Sequence, residues 1–456
     1  MATHPTPTTS EPLDLAPGFR RACTVALFVG GTALAVAIVL GAFGEHGYRR
    51  FFFAYLVSYA FFLSIALGAL LFVLVQHVTR AGWSVSVRRL AETLAATFPI
   101  LAALAAPIVV SVILMDGSLY RWAQPVSHAA NQDHAAAEHS STALPSGQAH
   151  DQEAHQPATH TAAAPATATL DALTLQKRAY LNPAFFLLRL FVYFAVWSCI
   201  GWWYWRTSVQ QDRSGDVELT IRMERYSAPA ILVSILTLTF ASFDLLMSLD
   251  PTWFSTIFGV YFFSGCAVGI FAALILLVVL LQRFGYLVNS VTVEHFHDLG
   301  KFLFAFTFFW GYIAFSQYML LWYANIPETT AWLARRGASS VPGHPGDWRI
   351  VSLLLLAGHL LIPFAGLLSR HVKRIKVLLS FWAAWLLVFH WLDLFWITMP
   401  EFSPQQPRVW FGIMEIACFL GIGGLFAAST LRLALRHAVR PVADPRLHEA
   451  LVFQNI

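Results

Sequence analysis

Ten apolar runs dominate the chain, at roughly 21–43, 51–78, 93–115, 181–204, 228–248, 255–282, 299–323, 350–370, 375–398 and 409–435. A helix rising about 1.5 Å per residue needs roughly 20 apolar residues to cross a hydrocarbon core of about 30 Å. In lipid every backbone polar group must be satisfied within the protein, which leaves only helices and closed barrels. Barrel strands are short and alternate apolar with polar residues, and these runs do not. The expected fold class is therefore all-α integral membrane, with ten transmembrane helices. Hydrophobic residues make up 57% of the 456-residue chain and charged residues 12%, about half the charge of an ordinary soluble domain. That balance excludes a soluble enzyme and chain-wide disorder.

The first run exceeds the ~7–15 residues of a signal-peptide core and follows a long polar leader, so it reads as a span. An even number of spans places both termini on one side. Lys and Arg fall two to one on that side, which predicts cytoplasmic termini. The net charge of +4 then reflects loop bias and not a nucleic-acid partner. The organisation is a cytoplasmic tail at 1–20, spans 1–3 within 21–115, a long outer loop at 116–180, spans 4–10 within 181–435, and a cytoplasmic tail at 436–456. The loop is rich in Ala, Thr and Pro and carries His128, His134, His139, His150, His155 and His160. It reads as a disordered linker, the irregular spacing making a metal site the lesser reading. Cys23, Cys199, Cys266 and Cys418 stand alone with no C-x-x-C spacing. This argues against a cluster, a c-type haem or a disulfide framework.

Ionisable residues in hydrocarbon are costly, so each demands a partner or a role. Counting along the helices places Arg189, Asp244, His359, His390, Asp393 and Glu415 in the outer half of the membrane. Asp393 shares a face with His390 three residues earlier. Brought together, these six would line a hydrated pocket or a proton relay; kept apart, they are core histidines and structural ion pairs, Arg189 neutralising Asp244 or Glu415. A second group, Glu294, His295, His297, Asp298 and Lys301, stands at the cytoplasmic mouth of span 7. Residues 294, 297, 298 and 301 recur at helical spacing and share one face. They form either a proton inlet or a salt-bridged helix cap. His359 and His390 on consecutive spans also leave open a b-type haem site. The buried charges leave open a standalone secondary transporter, although Pro229, Pro251 and Pro363 do not pair across two halves as transporter repeats do. Ser242, Thr237, Thr239, Ser316 and Tyr318 either bridge the two polar groups through water or bond their own helix backbone. The many Trp and Phe residues suit membrane interfaces and packing.

Two stretches carry a resemblance: SFDLLMSLDPTWFSTIFGVYFFSG from Ser242 to Gly265, and HFHDLGKFLFAFTFFWGYIAFSQYMLLWYANIPETTAWLAR from His295 to Arg335. They resemble the NrfD-like (polysulfide reductase) membrane subunits of bacterial alternative complex III, and look most like the ActF subunit. The resemblance covers spans 5 to 10, with the N-terminal half similar only in outline. It implies two four-helix bundles, spans 2–5 and 6–9, with two peripheral helices. It implies a multi-pass subunit of the bacterial inner (plasma) membrane within a quinol:cytochrome c or quinol:oxidase oxidoreductase, with no metal or covalent cofactor of its own. The partners implied are an NrfD-like paralogue, an iron–sulfur subunit, c-type cytochromes, a terminal oxidase and lipid. Quinone or quinol is the ligand implied, and quinol binding, proton conduction or scaffolding the role.

Overall fold

A computed structural model describes residues 12–44, 46–124, 174, 176–337, 347–404 and 408–454. The six histidines of the long loop lie outside the described residues. Among the described residues there is no strand, and ten helices are long and apolar enough to cross a membrane. These are span 1 (Gly18–Phe43), span 2 (Gly47–Val78), span 3 (Gly82–Ile113), span 4 (Pro183–Ser214), span 5 (Val217–Leu249), span 6 (Phe258–Arg283), span 7 (Val293–Ala324), span 8 (Trp348–Leu368), span 9 (Lys376–Glu401) and span 10 (Ile413–Ala434). The chain is a multi-pass helical membrane protein. Ten crossings put both described ends on one side, termed here the terminal side; the opposite side is the far side.

Span 2 is the hub. Its whole apolar window is buried inside the protein, against 11% of the window of span 1. Span 2 touches spans 3 and 5, and span 4 closes that group against both. Spans 6, 7, 8 and 9 form the second group, and spans 6 and 9 also lean on span 2. Spans 1 and 10 pair with each other outside both bundles. With no hydrophobic drive between helices in lipid, close approach depends on small residues. Gly30 faces the backbone of Gly424 and Leu425, and Gly68 on span 2 lies against the carbonyl of Cys266 on span 6. A Cβ at either glycine would fall under 3.0 Å from backbone.

Local sequence sets the ends and breaks. Asn182 caps span 4 by accepting from the Phe185 N–H at 2.9 Å, with Pro183 behind it. Gly215 closes span 4 in the left-handed region at φ 64°. Span 3 bends at Pro99 and Pro107, whose missing N–H groups interrupt the helical ladder. The Tyr59 and Tyr55 hydroxyls of span 2 donate into that bent region, to the carbonyls of Leu101 (2.9 Å) and Leu104 (2.6 Å). Span 8 is interrupted by a wider turn of π-helix at Leu356–Leu361.

Candidate functional site

Asp393 sits on span 9, 2% exposed, and a carboxylate so placed must find donors. Two neighbouring spans supply them. The Tyr261 hydroxyl of span 6 donates to one oxygen, and the Trp310 indole N–H of span 7 donates to the other at 3.1 Å. Trp310 in turn stacks on His359 of span 8, with ring centroids 3.8 Å apart. His359 is fully buried within the π turn, and neither of its ring nitrogens has a partner. Three spans therefore meet at this carboxylate, and a fourth backs the Trp310 ring.

His390, one turn before Asp393, lies 6.5 Å from His359 between ring centroids. Its Nε2 is 2.8 Å from the Ser64 hydroxyl of span 2, which itself donates to the Phe61 carbonyl at 2.7 Å. His390 Nδ1 has no hydrogen-bond partner. Gly265 on span 6 makes room for this ring: a Cβ there would lie 2.8 Å from His390 Cε1.

A cavity of about 570 Å³ opens beside this group, walled by Tyr261, Trp310, Phe315, Tyr318 and Trp396 and by Gly311. Its polar lining includes Gln317, Ser352 and Arg349. Buried Gln317 accepts from Ser255 at 3.3 Å, and Ser352 accepts the Trp396 indole N–H at 2.8 Å. On the flank between spans 7 and 8, Phe315, Leu353 and Leu356 are each about half exposed or more. On membrane-spanning helices that exposure faces lipid. The cavity thus opens from the outer face of spans 7 and 8 to the donors of Asp393. Size and aromatic character match those of small-molecule sites.

On its far side the cavity is roofed by Leu333 of the helix Pro327–Arg335 and by Gly337, with the cap residue Arg336 between them in the chain. Arg336 is 0% exposed. It binds Glu401 at 3.1 Å and the Ile397 carbonyl at 2.6 Å, and lies 3.5 Å over the Trp332 ring. Trp332 stacks on Trp253 at 4.2 Å. Arg335 bridges Asp250 and Glu401. Two guanidinium and two carboxylate groups close this roof without net charge. Burial pulls the Arg336 guanidinium down to about 10 against the opposing Glu401 charge. For Asp250 burial acts upward, but Arg335 and the Thr252 hydrogen bonds outweigh it and hold the carboxyl below its ordinary range.

The six ionisable residues expected in the outer half do not share one set of contacts. Asp393, His359 and His390 form the group above. Arg189 binds Asp244 through two 2.8 Å contacts, and the Tyr193 hydroxyl donates to Asp244 at 2.8 Å. That pair joins spans 4 and 5 within the other bundle. Glu415 is held by Arg50 at 2.9 and 3.1 Å and accepts the Gly412 N–H at 2.7 Å, tying spans 2 and 10. On the terminal side, Glu294 is held by Arg374 and Asp298 by Lys301 at 2.5 Å. His295 serves in the Thr292 capping box. His297 is buried with Nδ1 unpartnered. Both readings of this stripe, inlet and cap, therefore have members. The Thr237, Ser242 and Ser316 hydroxyls all donate to carbonyls of their own helices.

Sequence reasoning missed Tyr261 and Trp310, which lie inside the two quoted stretches. The signal was present: a Tyr or Trp buried mid-span needs a partner for its O–H or N–H. It also missed a buried network on the terminal side. Arg88 and Arg89 both bind Glu92, at 3.1 and 3.0 Å, and continue to Asp444 and Asp212. Span 3 begins at Gly82 and not near 93, so two arginines counted as loop charge are buried. Their i, i+3 and i, i+4 spacing to Glu92 was the available sign.

Among the described residues, no group of three or more His, Cys, Asp or Glu is placed to hold a metal ion. A scan against protein-family models and a search of curated proteins each found no match.

Proposed function

We propose that this chain is an integral subunit of a quinol-oxidising respiratory complex of the bacterial plasma membrane, and that the cavity against Asp393 receives the quinol head group. The supporting observation is the meeting of a lipid-facing aromatic cavity with a buried carboxylate whose two donors are themselves cavity walls. Quinols partition into lipid, so their site must open sideways, as this one does between spans 7 and 8. Oxidation to quinone releases two electrons and two protons. Aromatic walls suit the ring. Tyr261 is placed to accept a quinol hydroxyl proton as its own passes to Asp393. The electrons leave to redox groups on partner subunits, in keeping with the resemblance of the two quoted stretches. His359 and His390 stand nearby, each able to take one further proton on a single ring nitrogen, and the 294–301 stripe would form the opposite half of a path across the membrane.

The test has two stages. A tag at the C-terminus is used to purify the protein from native membranes in mild detergent, with mass spectrometry and a redox difference spectrum. Co-purified iron–sulfur and c-haem subunits are expected. A chain isolated alone, colourless or with a b-type spectrum, refutes the complex. Within the complex, Asp393→Asn and Tyr261→Phe are expected to lower quinol oxidation about a hundredfold or more, the lower end of the range for a lost proton acceptor. Unchanged turnover in both variants refutes the site.

A further inference from the structure

A second cleft lies on the terminal side, far from Asp393, between spans 1, 3, 6 and 10. Its walls are apolar: Phe19 from span 1, Leu277 and Leu281 from span 6, Leu431 from span 10. Its polar side chains include Arg89 of span 3 and His437, just beyond span 10. Arg89 is 2% exposed and its Nη1 has no partner, although its other nitrogens hold Glu92, Asp212 and Ser208. His437 packs edge-on against Trp205 with centroids 5.0 Å apart. The cleft is narrow, about 80 Å³, too small for a helix of about 10 Å diameter.

Charge decides what kind of ligand. Arg213 and Arg436, both exposed, stand at the ends of spans 4 and 10 next to this mouth. Burial first, then the Arg89 and Arg213 charges, hold His437 below its ordinary range, with Arg436 adding to them and Asp212 as the opposing carboxylate. Beyond the Arg89–Glu92–Asp212 network the mouth adds two exposed cations, Arg213 and Arg436, while the depth is apolar and the position is at the ends of the spans. Basic pockets between helix ends bind anionic lipid headgroups.

We infer that this cleft is a binding site for an anionic phospholipid, its phosphate between His437, Arg436 and the Arg89 edge and an acyl chain along Leu277, Leu280 and Leu281. Such a lipid would join span 1 and span 10 to both bundles, and the inference does not rest on the quinol reading.

The whole protein is delipidated in detergent and titrated with phosphatidylglycerol, phosphatidylcholine or inorganic phosphate, with thermal midpoint and native mass spectrometry as readouts. Phosphatidylglycerol is expected to stay bound and to raise the midpoint by several degrees. Arg213→Gln and Arg436→Gln, both surface changes, are each expected to weaken its binding about fivefold, the weight of one basic side chain near an anionic surface. Leu280→Trp, which fills the exposed wall, is expected to abolish retention without changing the lipid-free midpoint. Equal effects of phosphatidylcholine overturn the inference, as does a shift reproduced by inorganic phosphate alone. Retention unchanged in all three variants overturns it too.

Discussion

Trp310 lies face to face with His359, their planes 24° apart, while its indole nitrogen donates to Asp393. One side chain therefore does two separable things: it covers an imidazole that has no hydrogen-bond partner, and it satisfies half of a buried carboxylate. Trp310→Phe keeps the apolar cover and removes the donor. It is expected to cost about 1–3 kcal/mol, the penalty for an unsatisfied buried group, and to lower quinol oxidation. Thermal denaturation and turnover of the same preparation check both. A variant that loses neither would show that Tyr261 alone suffices for Asp393.

Gly265 and Gly269 both face His390, at different distances. A Cβ at 265 comes to 2.8 Å of the ring, one at 269 to 3.4 Å. The ring is held at Ser64 and cannot swing away without losing that bond. Gly265→Ala is expected to destabilise by about 1–3 kcal/mol, in the range for overpacking, and Gly269→Ala to be near neutral. Midpoints of the two variants measured side by side decide the matter.

The roof pair Arg336–Glu401 is buried on both sides. Glu401→Gln removes the countercharge and leaves a guanidinium inside the protein, a change that costs about 3–5 kcal/mol in buried pairs. Replacing both, Arg336→Met with Glu401→Leu, is expected to cost less than the single change. If the double variant is the less stable of the two, the pair contributes net attraction beyond mutual neutralisation.

Asp250 sets an acid limit on the far side. Its folded pKa lies below the ordinary 3.8 because Arg335 outweighs burial. A lowered carboxylate contributes stability that is fully present above the unfolded value and is lost as pH falls through the folded one. Melting curves between pH 3 and pH 6 are expected to show a shallower acid decline in Asp250→Asn than in the parent chain. Parallel declines would remove Asp250 from the acid transition.

The number of spans was legible because each apolar run is long, and the ionisable residues inside them stood out against that background. Their partners stood out only in part. Arg50, counted as an outer loop charge, is the partner of Glu415, 365 residues away. Arg189 meets Asp244 across 55 residues. Helical periodicity says which face a residue occupies and nothing of which helix comes to meet it, so six candidates at similar depth left one shared pocket and separate pairs both open, where the contacts make three groups. Arg88 and Arg89 failed for the opposite reason: charges that neutralise one another inside a helix look, one by one, like the end of it.

Span 8 turns at a different pitch through Leu356–Leu361, and one residue of a regular helix corresponds to about 100° of rotation. The segment that carries Arg349 and Ser352 to the cavity is therefore out of phase with the segment that seats Leu367 in the bundle. Removing one residue from the wide turn would bring the two into a single phase and swing the first away from the cavity while the second stayed anchored. The aim of this helix is adjustable at a joint, without any change to the surfaces that hold it.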